Sequence, residues 1–118
     1  MFSDDTFLLQ SNSKCYILVS TKGRCWALRF QWDEDKNALN IIKHGISFKE
    51  AESVFDDERA ILIYDEPHSS DEDRFIIIGI DMLYRELTVC HCYREDGEIV
   101  RIISARKATK NEIELYSR

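Results

Sequence analysis

With one proline and four glycines in 118 residues, the chain has little material for linkers or low-complexity segments. No apolar run approaches the roughly 20 residues that a membrane-spanning helix requires. Asp4 and Asp5 stand where a signal peptide would carry basic residues, so no such leader is expected. A phosphate-binding glycine loop, a nucleophile elbow and a dinucleotide fingerprint are all absent. The four cysteines, Cys15, Cys25, Cys90 and Cys92, form neither two close pairs nor a pair with histidines at zinc spacing. Reduced, buried or half-buried thiols in a cytoplasmic setting are therefore expected. A net charge of −6 and a pI near 5.0 argue against a broad basic face for indiscriminate nucleic-acid binding. They leave room for a small basic cleft or for a basic protein partner.

What is present is the composition of one globular domain, with 44% hydrophobic, 11% aromatic and 32% charged residues of both signs interspersed. A chain of this length can bury a core without disulfides or a structural metal. Residues 1–28 differ from the rest, with a weak strand-like run Cys15-Tyr-Ile-Leu-Val19, a Lys22-Gly23 turn and no strong capping signal. They are read as an atypical extension, preceding a single domain at 29–118.

From Arg29 onward the local signals agree. Phe30-Gln-Trp32 alternates like a short strand. Asp33 suits the N-cap of a helix reaching Lys43, with Lys36, Leu39, Ile42 and Lys43 setting its faces and His44-Gly45 ending it. Ser47-x-x-Glu50 is a capping box for a second helix with Phe48, Ala51, Val54 and Phe55 as its stripe, closed by Asp56-Asp57. Strands follow at 60–64, 74–80, 85–94 and 98–105. The run Phe75-Ile-Ile-Ile78, apolar on both faces, suits a central strand. Glu95-Asp96-Gly97-Glu98 is a hairpin turn, and Thr109-x-x-Glu112 caps a last helix with Ile113 and Tyr116 inward. The expected fold is α+β: a mainly antiparallel four- to five-stranded sheet with two N-terminal helices and one C-terminal helix.

Between Ile99 and Lys110 the chain carries four basic residues and no acidic one. Arg94, Arg101, Arg106 and Lys107 could form a phosphate clamp, since guanidinium forks bind phosphoryl oxygens in pairs and stabilise charge that grows in a transition state. Ion pairs with Glu95, Asp96 or Glu98 would be the structural alternative. Lys36 and Lys43 lie seven apart on one helix face. His44 could exchange protons near neutral pH, or simply favour the negative helix end. His91 reads as a packing residue on a strand with Leu87, Val89 and Tyr93. His68 lies in the loop of Asp65, Asp71 and Asp73, whose spacing matches no calcium or zinc pattern.

Several of these segments resemble the BrnT family of toxins from BrnT/BrnA type II toxin–antitoxin modules. They are Phe30-x-Trp32-Asp33-x-x-Lys36, Asn40-x-x-Lys43-His44-Gly45-Ile46-x-Phe48-x-x-Ala51 and Val54-Phe55-Asp56-Asp57. Arg74-Phe-Ile-Ile-Ile-Gly79 and Arg101-Ile-Ile-Ser104-Ala105-Arg106-Lys107-Ala108-Thr109 complete the set, colinear from Arg29 to Tyr116. The resemblance implies a RelE-like fold and a cytoplasmic endoribonuclease that blocks translation. It also implies a BrnA-like antitoxin bound in a heterotetramer, with DNA contacted only through that antitoxin. The expected mechanism is metal-independent and uses no cofactor: the RNA's own 2′-hydroxyl attacks the adjacent phosphorus, in free RNA or on the ribosome. His44, Arg94, Arg101 and Arg106 are the expected catalytic residues, and Lys36, Lys43 and Lys107 the RNA-binding ones, with Arg74 as an additional candidate. The alternatives are a non-catalytic toxin-like module that serves as antitoxin partner and co-repressor, and a metal-dependent nuclease using His44, His68, His91 and acidic residues. Because family members typically start just before the Phe-x-Trp motif, Leu28 is one reading of the true start. A native peptide spanning Ser20 to Arg24 would refute it.

Overall fold

Local sequence signals become element ends in the computed structural model, which describes the backbone of residues 6–11, 15–20, 29–69 and 72–118, and side chains only from residue 29 onward. Two strands, β1 (Thr6–Ser11) and β2 (Cys15–Ser20), pair as an antiparallel hairpin. The Lys22-Gly23 turn, Cys25, Asp71 and the side chain of Cys15 lie outside the described residues. Strand β3 (Arg29–Gln31) leads into helix α1 (Glu34–His44). The Asp33 carboxylate accepts from the Asp35 amide at the start of α1, and Gly45 ends it at φ 72°, a left-handed conformation that glycine adopts without strain.

Helix α2 is short, Phe48–Glu52, because the chain tightens into a 3-10 turn over Ser53–Asp56 instead of continuing to Asp57 as one helix. Its capping box is complete: Ser47 and Glu50 each accept from the other's backbone amide. Four strands follow, β4 (Ile61–Tyr64), β5 (Phe75–Ile80), β6 (Glu86–Arg94) and β7 (Ile99–Lys107), and helix α3 (Lys110–Tyr116) starts at the Thr109–Glu112 box.

The sheet order is β1-β2-β4-β5-β6-β7-β3, which puts the apolar strand β5 at the centre as its composition predicts. The sheet is larger than the expected four or five strands, and it is mixed. β3 runs parallel to β7, with Gln31 beside Arg101, while every other pairing is antiparallel. Short turns dictate direction only from β4 to β7. β3 reaches its neighbour through the helices and three intervening strands, so no local turn encodes its direction. At the other side, β2 extends the sheet beyond β4, pairing Cys15 with Ile63 and Tyr16 with Leu62.

The core lies between one sheet face and the α1–α2 layer. Phe48, Ala51 and Val54 are fully buried against Leu62, Ile77, Leu87, Val89, Val100, Ile102 and Ala105. Burying each large aliphatic or aromatic side chain stabilises the fold by roughly 1.5–3 kcal/mol. Gly79 is needed at the closest approach: a Cβ there would sit 3.0 Å from Val54 Cγ1 and from Asp57 Oδ2. Asn40 pins α1 to the sheet, its amide donating to the carbonyls of Ile46 and Ala105 and its oxygen accepting from the Ala105 amide. Glu112 of α3 meets Thr88, which alternates with the core-facing Leu87 and Val89, so α3 sits on the opposite sheet face. Among the described residues, no helix is long and apolar enough to cross a membrane.

Candidate active site

A β-bulge decides which side chains reach this second face. Cys90 of β6 opposes Ser104 of β7, while the next residue, His91, opposes Ile102, leaving Ile103 as an extra residue in β7. Arg101 and Arg106 are five apart, so strict strand alternation would point them to opposite faces. The inserted residue restores the phase. Val100, Ile102 and Ala105 all stay in the core, and Arg101 and Arg106 both turn away from it.

On that face a cleft of about 230 Å³ is lined by Asp65, His68, Arg74, Ile76, Thr88, Cys90, Ile103, Ser104 and Arg106. It lies between the β4–β5 loop and the β6–β7 pair. The loop is tied shut at its base: the Asp65 amide donates to the Arg74 carbonyl at 2.8 Å, and the Ser69 hydroxyl bridges the Asp65 carbonyl and the Arg74 amide. Pro67 sits within the 3-10 turn Glu66–His68, whose φ it presets. His68 Nδ1 thereby lies 3.0 and 3.1 Å from the two Asp65 carboxylate oxygens. The His68 side chain is 68% exposed and Asp65 only 17%. A largely buried carboxylate thus holds an imidazole whose second nitrogen makes no hydrogen bond among the described residues.

The cationic wall is Arg74 and Arg106. Arg106 donates to both Glu112 oxygens, at 2.8 and 2.9 Å, which raises its own pKa. Burial pushes the Glu112 carboxyl up, but hydrogen bonds from Arg106, the Thr109 amide and Thr88 outweigh it and hold the group down to about 2. Burial and the Asp65 charge push the Cys90 thiol up against the pull of Arg74 and Arg106, so it stays protonated and is no nucleophile. Cys90 and Cys92 are both free thiols.

The structure distributes the sequence-derived candidates over several places. Arg106 lines the cleft, and Lys107 follows it, exposed, at the end of β7. Arg101 donates to Gln31 of the neighbouring β3 at 2.9 Å, and Arg94 pairs with Glu72 at 3.2 Å, so their partners are not the nearby Glu95, Asp96 or Glu98. Lys36 and Lys43 are exposed on α1. His44 ends α1 and is not among the residues lining the cleft. His91 is wholly buried, bonded to the Val89 carbonyl and Tyr93 and packed against Phe55 and Phe75, as a packing residue should be. Sequence reasoning weighed Asp65 and His68 only as a metal-binding loop, and it assigned no role to Thr88 or Ser104. Only the spacing Asp65-x-x-His68 around Pro67, which puts both side chains on one tight turn, could have signalled the pair.

Comparison with known proteins agrees with the motif pattern. Residues 32–112 match the sequence profile of the family described as "Ribonuclease toxin, BrnT, of type II toxin-antitoxin system". A solved structure, the ribonuclease toxin BrnT of Brucella abortus, superposes with a TM-score of 0.54 at 27% identity, covering 70% of this chain and 99% of that one. No curated protein sequence matches significantly. With the family profile spanning most of its length, this chain belongs to the BrnT family of ribonuclease toxins of type II toxin–antitoxin systems.

Proposed function

We propose that this chain is an endoribonuclease that cuts RNA in the cleft of Arg74 and Arg106 without a metal ion. The observation that carries the reading is the convergence of two guanidinium groups and a histidine on one solvent-open cleft of an acidic chain. Arginine forks suit the non-bridging oxygens of a phosphodiester and stabilise the charge that accumulates on them during in-line attack. The RNA supplies its own nucleophile, the 2′-hydroxyl, so the protein contributes positioning, proton transfer and charge. Arg101 and Arg94 lie along the same two strands to guide the backbone, and Lys107 offers a further phosphate contact at the end of β7. Lys36 and Lys43 offer phosphate contacts on α1. Whether the substrate is free RNA or RNA on the ribosome follows from which of the two is cut.

The toxin is held in check by a BrnA-like antitoxin in a heterotetramer, through which alone it reaches DNA. Leu39 and Ile42, 64% and 81% exposed on α1, supply apolar contact area for it, and the negative charge favours a basic partner. The order of strand, two helices, four strands and helix from residue 29 onward supports a RelE-like fold, and RNA as the substrate fits action in the cytoplasm.

A second reading, a module that binds antitoxin without cleaving RNA, draws on the fact that Arg94, Arg101 and Arg106 are already held by Glu72, Gln31 and Glu112. RNA cleavage by the purified chain in EDTA separates the two. Cleavage by the wild type that is lost in Arg74→Ala/Arg106→Ala supports the ribonuclease. No cleavage of either free or ribosome-bound RNA supports the binding module.

A further inference from the structure

We infer that His68 is the proton-transfer catalyst of the cleft and that Asp65 is its positioning residue, an assignment that rests on the ribonuclease reading above. Proton transfer needs an imidazole held in one tautomer, with the other nitrogen aimed at the substrate. His68 meets that need geometrically. Its Nδ1 faces both Asp65 oxygens at 3.0 and 3.1 Å, so the proton of the neutral ring resides there and Nε2 keeps its lone pair. The Asp65 backbone is bonded to Arg74 and Ser69, which fixes the pair relative to the arginine across the loop base. Arg106 and Cys90 face the same space from β7 and β6. The protonated Cys90 cannot serve as the base, and the guanidinium groups of Arg74 and Arg106 carry donors and no acceptor.

In the step, the 2′-oxygen forms a bond to phosphorus while the P–O5′ bond breaks, giving a 2′,3′-cyclic phosphate and a 5′-hydroxyl end. The 2′-hydroxyl proton passes to His68 Nε2, and the departing O5′ takes a proton from water. Asp65 stabilises the imidazolium so formed, and Arg74 and Arg106 face the charge on the phosphate oxygens.

The test compares wild type, His68→Ala and Asp65→Asn with EDTA present, on an end-labelled oligoribonucleotide and on messenger RNA in a cell-free translation extract. Circular dichroism checks each fold, and His68 is exposed enough for its replacement to leave the fold intact. His68→Ala is expected to lower kcat by roughly 100-fold or more at nearly unchanged KM. Asp65→Asn should lose part of the rate and shift the His68 tautomer seen by 15N NMR away from Nδ1–H, a signature that a merely structural Asp65 would not move. Wild-type rates in His68→Ala overturn the assignment while leaving the ribonuclease standing. Absence of cleavage by the wild type on both substrates overturns the ribonuclease reading and the role of His68 with it.

Discussion

Arg106 and Glu112 join β7 to α3 through two parallel hydrogen bonds of 2.8 and 2.9 Å, and the same carboxylate caps α3 through the Thr109 amide and accepts from Thr88. The cleft arginine is therefore aimed before any ligand arrives. A phosphate that engages it shares the guanidinium with Glu112, whose side chain is only 15% exposed. Preorganisation of this kind lowers the cost of ordering a long side chain during binding.

The Arg106–Glu112 pair makes the fold acid-sensitive. Glu112 has a folded pKa near 2, below the ordinary value of 4.5. Its stabilising contribution is complete above about pH 4.5 and is lost as pH falls toward 2, because the unfolded chain binds the proton first. Glu112→Gln should be less stable than wild type at pH 7, with the gap narrowing at pH 3. Urea unfolding at the two pH values checks this, and a constant gap would remove Glu112 as the source.

His91 acts in a higher window. Its burial holds its pKa down to about 4, against an ordinary 6.5. Between these values the unfolded state takes up a proton that the folded core refuses, so stability falls as pH drops from about 6.5 to 4 and then levels. His91→Phe, which keeps a ring against Phe55 and Phe75, should flatten that slope. Midpoints at pH 7.5 and 5.0 would show it; an unchanged slope would point to other titrating groups.

Asn40 is 6% exposed and makes three hydrogen bonds, two that close α1 onto Ala105 of β7 and one to the Ile46 carbonyl. Replacing it by Ala leaves the Ala105 amide and two carbonyls without this partner in a dry site. A loss of about 3 kcal/mol is expected, read as a lower denaturation midpoint at unchanged slope. A loss below about 1 kcal/mol would mean that water takes over these bonds.

Arg106→Ala and His44→Ala distinguish the cleft from the end of α1 as the catalytic centre. In EDTA, removing Arg106 is expected to lower RNA cleavage by roughly 100-fold or more, the scale of losing one group that stabilises transition-state charge. Thermal unfolding of the same sample controls for the lost Glu112 contact. A loss confined to His44→Ala would move the centre to the end of α1.

What the chain determined by itself was whatever a few neighbouring residues decide. Asp33, Ser47 and Thr109 satisfy amides two or three residues ahead, Gly45 relieves a left-handed residue, and Asp96-Gly97 reverses the chain; each of these is a short-range hydrogen bond or steric rule. The central place of β5 and the packing role of His91 were legible because apolar runs record burial. Tertiary structure decided the rest. The parallel seat of β3, the extra residue Ile103 that brings Arg101 and Arg106 to one face, and the choice of Glu112 and Gln31 as their partners depend on strands and a helix that meet only after folding. The cleft itself is such a product: Asp65 and His68 are close in sequence, but their meeting with Arg106 is created by the register of β4, β5, β6 and β7, which depends on how whole faces bury rather than on any local pattern.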